Sequence, residues 1–240
     1  MALYLALARE EDIPLIVPIQ FAAFHPTDTL HRLIYPAPHP VSPSVISSTI
    51  ARHLKAWRTD PHVTWLVIKD PSIRILDPSS GQETDRIVAA AKWIIWPPGE
   101  REEGIRWPEV KVDWIFPSAP DGEKNFGPNG APDDEEYVSW VVEQVYGRRG
   151  ERVAGPAVLL DSCFVDPEYH KRGAGGMLVK WGVDKADELG VRGFVEASAK
   201  GRRLYESQGF REIEDVKLRG GEVRASWETY GEVEYWFMER

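Results

Sequence analysis

The sequence is poor in three features that each mark a class of protein. Cys163 is its only cysteine, so no intrachain disulfide can form and a cysteine-rich zinc site lacks ligands. No apolar run approaches the roughly 18 residues of a membrane-spanning helix, and the first residues lack the pattern of a secretory signal. An excess of positive charge is absent, since 29 Lys and Arg stand against 38 Asp and Glu. We therefore expect a cytoplasmic protein, with the nucleus as the alternative, that has no membrane or nucleic-acid partner.

What is present is typical of a folded α/β protein. Hydrophobic residues make up 42% of the 240 residues, and ten tryptophans are available for a core. Segments with helical spacing alternate with short apolar runs of strand character, which predicts an α/β (α+β) fold with a parallel crossover. The predicted strands are 3–9, 64–69, 87–96, 157–165, 193–197, 210–218 and 232–238, and the predicted helices are 10–24, 44–59, 133–146, 171–189 and 201–208.

Proline marks the irregular parts of the chain. We expect Pro18 to kink or split the first helix, and residues 25–43, with five prolines, to form a loop over a pocket. Residues 97–132 contain seven prolines and show no periodicity. We interpret that segment as an insertion into a single domain that spans residues 1–240.

Residues 170–176 join a predicted strand to a predicted helix and have the composition of an anion site. They read HKRGAGG, with Lys171 and Arg172 followed by glycines. Glycines let a phosphate approach the backbone, and the N–H groups at a helix start bind anions. The common nucleotide motifs do not fit, because no GK is followed by Ser or Thr and Leu178 occupies the position of the third glycine in GxGxxG. The alternative is a glycine-rich turn that only packs the helix on the strand.

The same segment resembles the acyl-CoA motif of the GNAT superfamily of N-acetyltransferases. That motif is Gln or Arg, two residues, Gly, one residue, then Gly or Ala, and here His170 replaces the Gln or Arg. Residues 198–210, SAKGRRLYESQGF, end in the LYxxxGF signature of the family, with Ser198 where many members have Asn. The resemblance is strong over residues 157–218.

The resemblance implies a GNAT-type mixed, largely antiparallel central sheet, with a parallel strand–helix–strand acyl-CoA site and helices on both faces. Acetyl-CoA would lie where strands 157–165 and 193–197 diverge, its pantetheine arm on backbone groups of the first strand and its pyrophosphate on residues 171–176. No metal is required. The implied cofactor-binding residues are Cys163, Phe164, Val165, His170, Lys171, Arg172, Gly173, Ala174, Gly175, Gly176, Ser198, Gly201 and Tyr205.

The implied reaction is transfer of an acetyl group from acetyl-CoA to a primary amine by direct attack in a ternary complex. Tyr205 is the predicted general acid, because a phenol with a pKa of about 10 keeps its proton at neutral pH and can protonate the leaving sulfur. The alternative is a core tyrosine. Asp161 is the predicted general base, because a carboxylate buried in mid-strand has a raised pKa; a structural hydrogen bond is the alternative.

Residues near Tyr205 and Asp161 in the predicted fold have smaller predicted roles in the reaction. Alternation along the strand places Asp161, Cys163 and Val165 on one face. Glu143 and Glu196 are weaker candidates for the base. Cys163 has no histidine partner visible in the sequence, and we expect a packed small residue rather than a nucleophile.

Acidic residues concentrate near the predicted insertion. Residues 97–147 hold 12 acidic and four basic side chains, and together with nearby tryptophans they are candidates for a wall that attracts a cationic amine. The alternative is a solvated loop. We expect a small cationic amine as substrate and a monomer or homodimer; a protein or peptide amine acetyltransferase and a non-catalytic acyl-CoA-binding module are the alternatives. The tryptophans are Trp93, Trp96, Trp107, Trp114 and Trp140.

Overall fold

A computed structural model describes residues 2–25, 27–77, 81–99 and 134–240. Within these residues seven strands form one sheet in the order β1-β2-β3-β4-β5-β7-β6. All neighbours pair antiparallel except β4 and β5, which are parallel. The predicted mixed, largely antiparallel sheet is confirmed. The strands are β1 (Tyr4–Leu7), β2 (Val63–Leu76), β3 (Glu83–Trp96), β4 (Ala157–Val165), β5 (Arg192–Ala197), β6 (Arg211–Arg219) and β7 (Glu232–Glu239).

Helices cover both faces of the sheet. On one face α1, α2, α3 and α4 pack over a core that includes Trp65, Phe164 and Phe237. On the other face α5 and α6 pack over a second core around Trp93 and Leu178. The helices are α1 (Ile13–Phe24), α2 (Thr29–Ile34), α3 (Pro43–Thr59), α4 (Asp134–Arg152), α5 (Ala174–Leu189), α6 (Arg202–Ser207) and α7 (Gly220–Val223). Short 3₁₀ segments lie at Glu10–Asp12, Pro167–Tyr169 and Ala225–Tyr230.

The structure adds detail to two local predictions. Of the kink or split expected at Pro18, the split does not occur, because α1 is one helix that Ile13, Ile16 and Val17 anchor in the core. The segment predicted as a loop contains α2, whose first turn is capped by the Asp28 carboxylate accepting from the His31 N–H at 2.7 Å.

Among the described residues, no helix combines the length and the apolar character needed to cross a membrane.

Candidate active site

The central feature of the site is the point at which β4 and β5 separate. The two strands pair only where Ala157–Leu160 lies beside Arg192–Val195. Beyond that point β4 continues to Val165 beside β3, and no strand of the described residues pairs with its other edge there. The backbone groups on that edge can therefore pair with a ligand that adds itself to the sheet. The predicted divergence of the two strands is confirmed.

A β-bulge decides which way the side chains of β4 point. The register with β3 shifts by one residue at Asp161, which has no partner residue on β3. Such an extra residue reverses the alternation of side chains along a strand. Cys163 and Val165 consequently pack on the α5 face, whereas Asp161 meets α4 on the opposite face. The expectation that these three residues share one face is wrong, because alternation alone does not reveal a bulge.

We call the gap between β4 and β5 beyond Leu160 and Val195 the opening. Four charged side chains form a cluster beside it. Arg149 of α4 donates from Nη1 to Oδ1 of Asp161 at 2.6 Å and from Nε to Oε1 of Glu196 at 2.7 Å, and its Nη2 also donates to Glu196. The ammonium of Lys92 lies 3.0 Å from Oδ2 of Asp161. The Arg149 side chain is only 4% exposed. Two cations and two anions thus neutralise one another with little access to water.

The ion pairs overturn the predicted basicity of Asp161. Burial alone raises the pKa of this carboxyl, but Lys92 and Arg149 outweigh burial and hold the pKa well below its ordinary range. The predicted raised pKa is therefore wrong, and the alternative of a structural hydrogen bond describes Asp161 better. A carboxylate held by two cations is a weak proton acceptor, so we do not assign it the amine proton. Both carboxylate oxygens of Glu196 accept hydrogen bonds from Arg149, and Glu143 is exposed on α4.

A buried polar chain runs between α1, α2 and α3 on the same face. The Gln20 side chain lies 3.1 Å from Nε2 of His31 and 2.8 Å from Nε2 of His53. Burial lowers the pKa of each histidine to about 3, so both rings are neutral at pH 7. His53 also lies close enough to Lys92 and Asp161 to interact with both charges. These hydrogen-bonded side chains thus connect the helices of this face to the charge cluster.

Neutral buried histidines make the stability of the fold depend on pH. The folded protein keeps His31 and His53 unprotonated down to about pH 3, whereas the unfolded chain protonates them near pH 6.5. Stability therefore falls as the pH drops below that value. Between pH 7.5 and pH 6 we expect a loss of about 1–2 kcal/mol from the two rings together. Urea unfolding at both pH values measures the loss. If the double variant His31→Gln/His53→Gln lost as much free energy of unfolding between these pH values as wild type, the two histidines would not be the cause.

Tyr205 and Cys163 lie together on the α5 side of the opening. The Tyr205 side chain is buried, with its ring 6.2 Å from that of Phe210 in an edge-on contact. Burial, and to a smaller extent the Cys163 thiol, raise the pKa of Tyr205 well above its ordinary range. Burial also raises the pKa of Cys163 to about 12. Both groups therefore keep their protons at neutral pH, which suits a packed cysteine and a proton-donating phenol.

The loop between β4 and α5 leads into a helix start with no side-chain cap. Its first part is fixed by the Asp166 carboxylate, which accepts from the Glu168 N–H at 3.0 Å, and by Nε2 of His170, which donates to the Val165 carbonyl at 3.2 Å. Lys171 and Gly173 have positive φ angles of 62° and 87°. These left-handed residues turn the chain sharply. Because the N-cap residue of α5 is Gly173, which has no side chain, the N–H groups of the first turn stay without a capping side chain.

The glycines of this loop have different roles. A Cβ on Gly175 would lie 3.1 Å from Leu204, so packing explains this glycine. A Cβ on Gly173 or Gly176 would meet nothing within 4 Å. Gly173 is needed for its backbone angle, but neither angle nor packing explains Gly176. Open space at the third residue of α5 is what a bound phosphate requires.

Ser198 and Gly201 are placed beside Tyr205 by the turn that precedes α6. The Ser198 Oγ accepts a hydrogen bond from the Gly201 N–H at 3.4 Å. A Cβ on Gly201 would come within 2.9 Å of the Tyr205 ring. Gly201 therefore lets the tyrosine lie flat against the backbone of this turn.

The acidic and aromatic wall expected for the amine is not found at the opening in the part of the chain that the structure describes. Trp93 lies in the core against α5, and Trp96 is also buried. Trp140 packs against Trp227 at 5.7 Å. A surface concavity of about 610 Å³ beside it includes Glu135 and Glu143. Along the axis of α4 these two residues lie roughly 20 Å and 9 Å from Arg149, and Glu143 is on the exposed side of the helix. Trp107, Trp114 and most of the predicted insertion lie outside the described residues.

Sequence reasoning missed Lys92, Arg149, Gln20 and His53. Two of them carried a signal, since Gln20 is the single polar residue of α1 and Lys92 interrupts the apolar run AAAKWIIW. A lone polar residue in such a run needs a partner when buried. Arg149 and His53 had no signal of this kind, because both lie on helices with many polar residues.

The comparisons with known proteins agree with this geometry. The model of the acetyltransferase (GNAT) family matches residues 88–210. No curated relative of significant sequence similarity was found. Several solved structures share the fold at low identity. One is histone acetyltransferase HPA2 and related acetyltransferase from Corynebacterium glutamicum, with a TM-score of 0.57 and 17% identity over 100% of this chain and 96% of that chain. Another is mosquito arylalkylamine N-acetyltransferase like 5b, with a TM-score of 0.56 and 14% identity over 100% of this chain and 99% of that chain. A third is Drosophila melanogaster polyamine N-acetyltransferase, with a TM-score of 0.55 and 17% identity over 99% of each chain.

The described residues fit the acetyl donor of that family. Its pyrophosphate requires open space at uncapped N–H groups, as found at Gly176, and its extended arm requires a strand edge such as that of β4. The matched region runs from β3 through the loop and α5 to the end of α6 and so contains both features. The chain therefore belongs to the GNAT acetyltransferase family, and it is an acyltransferase that uses acetyl-CoA.

Proposed function

We propose that the protein acetylates the primary amine of a small molecule, which reaches the opening while acetyl-CoA is bound. The observation that carries this proposal is the strand edge of β4. It leads from residues 170–176, the glycine loop, to a buried, protonated Tyr205. Binding groups, an edge for an extended arm and a proton donor thus lie along one path. This arrangement suits direct transfer between two bound substrates.

Each part of the path has its own task. Acetyl-CoA supplies an acetyl group activated as a thioester. The first-turn N–H groups of α5, with the charges of Lys171 and Arg172, hold the phosphates. Backbone groups of Cys163, Phe164 and Val165 hold the arm, and N–H groups on this edge stabilise negative charge that develops on a carbonyl oxygen. His170, Ala174, Ser198 and Gly201 complete the proposed cofactor site.

Tyr205 is the proposed general acid. Its hydroxyl keeps a proton at every physiological pH because burial disfavours the phenolate. The proton passes from the hydroxyl to the leaving sulfur as the bond to the acetyl carbon breaks, and the proton that the attacking nitrogen loses returns the tyrosine to its neutral form, so that the thiol and the amide leave with no net change in protons. The nitrogen of the amine must be unprotonated when it attacks. Asp161 acts through Arg149 as a group that holds the site together.

Two features support a small amine that is cationic in solution. The net charge of −9 attracts cations to the protein as a whole. Solved structures of the same fold include proteins named as acetyltransferases of arylalkylamines, agmatine and polyamines. We further propose a single domain of residues 1–240 that works in the cytoplasm as a monomer or homodimer.

The test is the release of thiol from acetyl-CoA with a panel of polyamines, arylalkylamines, amino acids, aminoglycosides and peptides. Turnover with small amines supports the proposal. Turnover with peptides alone favours the protein or peptide amine acetyltransferase. Binding of acetyl-CoA without turnover across the panel favours the non-catalytic binding module.

The glycine loop can be tested apart from catalysis with Gly176→Leu. A side chain in the open space at this position should block the phosphates from the N–H groups of α5. Losing one charge-assisted hydrogen bond should raise the acetyl-CoA dissociation constant about tenfold or more, as measured by calorimetry.

The matched control is Gly147→Leu. Gly147 is an exposed helical glycine on α4 whose added Cβ would also meet nothing within 4 Å. This variant should bind acetyl-CoA as wild type does. Equal affinities for Gly176→Leu and wild type would remove the loop from the binding site.

A further inference from the structure

We propose that Arg149 is a positioning residue that holds β4 and β5 apart and thereby sets where the pantetheine end of acetyl-CoA lies. The inference rests on the proposed function of the opening. Backbone pairing of the two strands ends at Leu160 and Val195. The next residue on each strand is an acid, Asp161 on β4 and Glu196 on β5. The Arg149 guanidinium donates to both of them.

The geometry fits a strut, meaning a side chain that bridges the strands where their hydrogen bonds stop. The guanidinium is planar and rigid, with two donors on Glu196 and a third, at 2.6 Å, on Asp161. The bulge turns Asp161 toward α4, within reach of that third donor. Lys92 holds the remaining oxygen of Asp161 at 3.0 Å. Each strand is therefore fixed to one helix at the first unpaired position.

Burial makes this bridge hard to replace with water. Arg149 is 3% exposed as a residue, and the Glu196 side chain is 9% exposed. The ring of Tyr146 lies 4.7 Å from the Arg149 guanidinium and limits its movement. A change at Arg149 should alter the width of the opening. It should affect the conformation of the glycine loop less, because that loop is built from a different segment on the α5 side.

This separation gives a test that does not depend on turnover. Arg149→Lys keeps the charge, but one ammonium cannot span both carboxylates. Calorimetry measures binding of acetyl-CoA and, separately, of the nucleotide head of coenzyme A without its pantetheine arm. We expect the dissociation constant for acetyl-CoA to rise about tenfold and kcat to fall at least as much, whereas the nucleotide head binds as to wild type.

Arg152→Lys is the matched control. It makes the same change on the next turn of α4, where Arg152 donates to Glu214 at 2.9 Å on the surface. Both ligands should bind to this variant as to wild type. Glu196→Gln is the second test variant, because it weakens the bond to β5 while the contact of Arg149 with Asp161 remains, and it decides the question if Arg149→Lys does not fold.

The outcomes separate the strut from the proposed function. Selective loss of acetyl-CoA affinity in Arg149→Lys or Glu196→Gln supports the strut. Equal loss for both ligands, or loss for neither, overturns it. If the wild type binds acetyl-CoA but acetylates no amine, the proposed function fails, and the ratio of the two affinities still decides whether Arg149 sets the opening.

Discussion

Tyr205→Phe should lower the rate of acetyl transfer by about a hundredfold to a thousandfold while acetyl-CoA binds as before. The substitution removes the hydroxyl and keeps the ring, whose edge-on contact with Phe210 at 6.2 Å holds α6 in place. Without the hydroxyl, the leaving sulfur has to depart as a thiolate or take its proton from water. Steady-state kinetics together with calorimetric binding of acetyl-CoA measure the two effects separately.

The pH dependence of the rate gives a second readout. Because burial raises the pKa of Tyr205 above its ordinary value of about 10, the hydroxyl holds its proton to higher pH than a free phenol. Wild type should therefore show no loss of the acid below about pH 10. Tyr205→Phe should have a profile of the same shape at a lower level, with the remaining pH dependence due to the amine substrate.

Tyr137→Phe is the control for this substitution. Tyr137 is buried, its hydroxyl has no hydrogen-bond partner in the described part of the chain, and it packs against Tyr230 at 4.4 Å rather than near the opening. Its loss should leave the rate unchanged. If Tyr205→Phe also kept the wild-type rate, Tyr205 would be a core tyrosine and the proton would have to come from elsewhere.

The fold, including the strand, loop and helix that form the proposed cofactor site, was predictable because its signals are local. Apolar periodicity, the glycine that ends α6 and the loop motif lie within short stretches, and the parallel pair β4–β5 follows from the helix between the strands. Even here α2 was missed, since the prolines around it obscured the capping residue Asp28. A cap is one residue, and the flanking composition can hide it.

The chemistry of Asp161 was not predictable, because its partners are distant in sequence. Lys92 comes from β3 and Arg149 from α4, and the sequence shows neither contact. The Asp161 side chain is mostly buried, with 16% of it exposed, but the sign of its pKa shift depends on those two cations. The bulge adds a second effect, since a shift of one residue moves each later side chain of β4 to the other face. The bulge that the sequence does not reveal is also what brings the Asp161 carboxylate to Arg149.

Gly182→Ala should destabilise the protein by about 3 kcal/mol, near the upper end for a methyl group forced into a packed core. An added Cβ would lie 2.1 Å from the Trp93 ring, which is fully buried. Gly176→Ala makes the same change on the same helix, where the Cβ meets nothing within 4 Å, and should be as stable as wild type or slightly more stable. Urea unfolding measures both variants.

The cause of this loss can be isolated by a double-mutant cycle. The atoms that would clash with the added methyl group belong to the six-membered ring of Trp93, which Trp93→Phe removes from that place. Combining Gly182→Ala with Trp93→Phe should therefore cost clearly less than the sum of the two single changes, with a coupling of about 1–3 kcal/mol. Additive costs would mean that the ring moves aside freely. Coupling would show that α5, whose first turn forms part of the proposed acyl-CoA site, is held on the sheet by this contact of a glycine with a tryptophan.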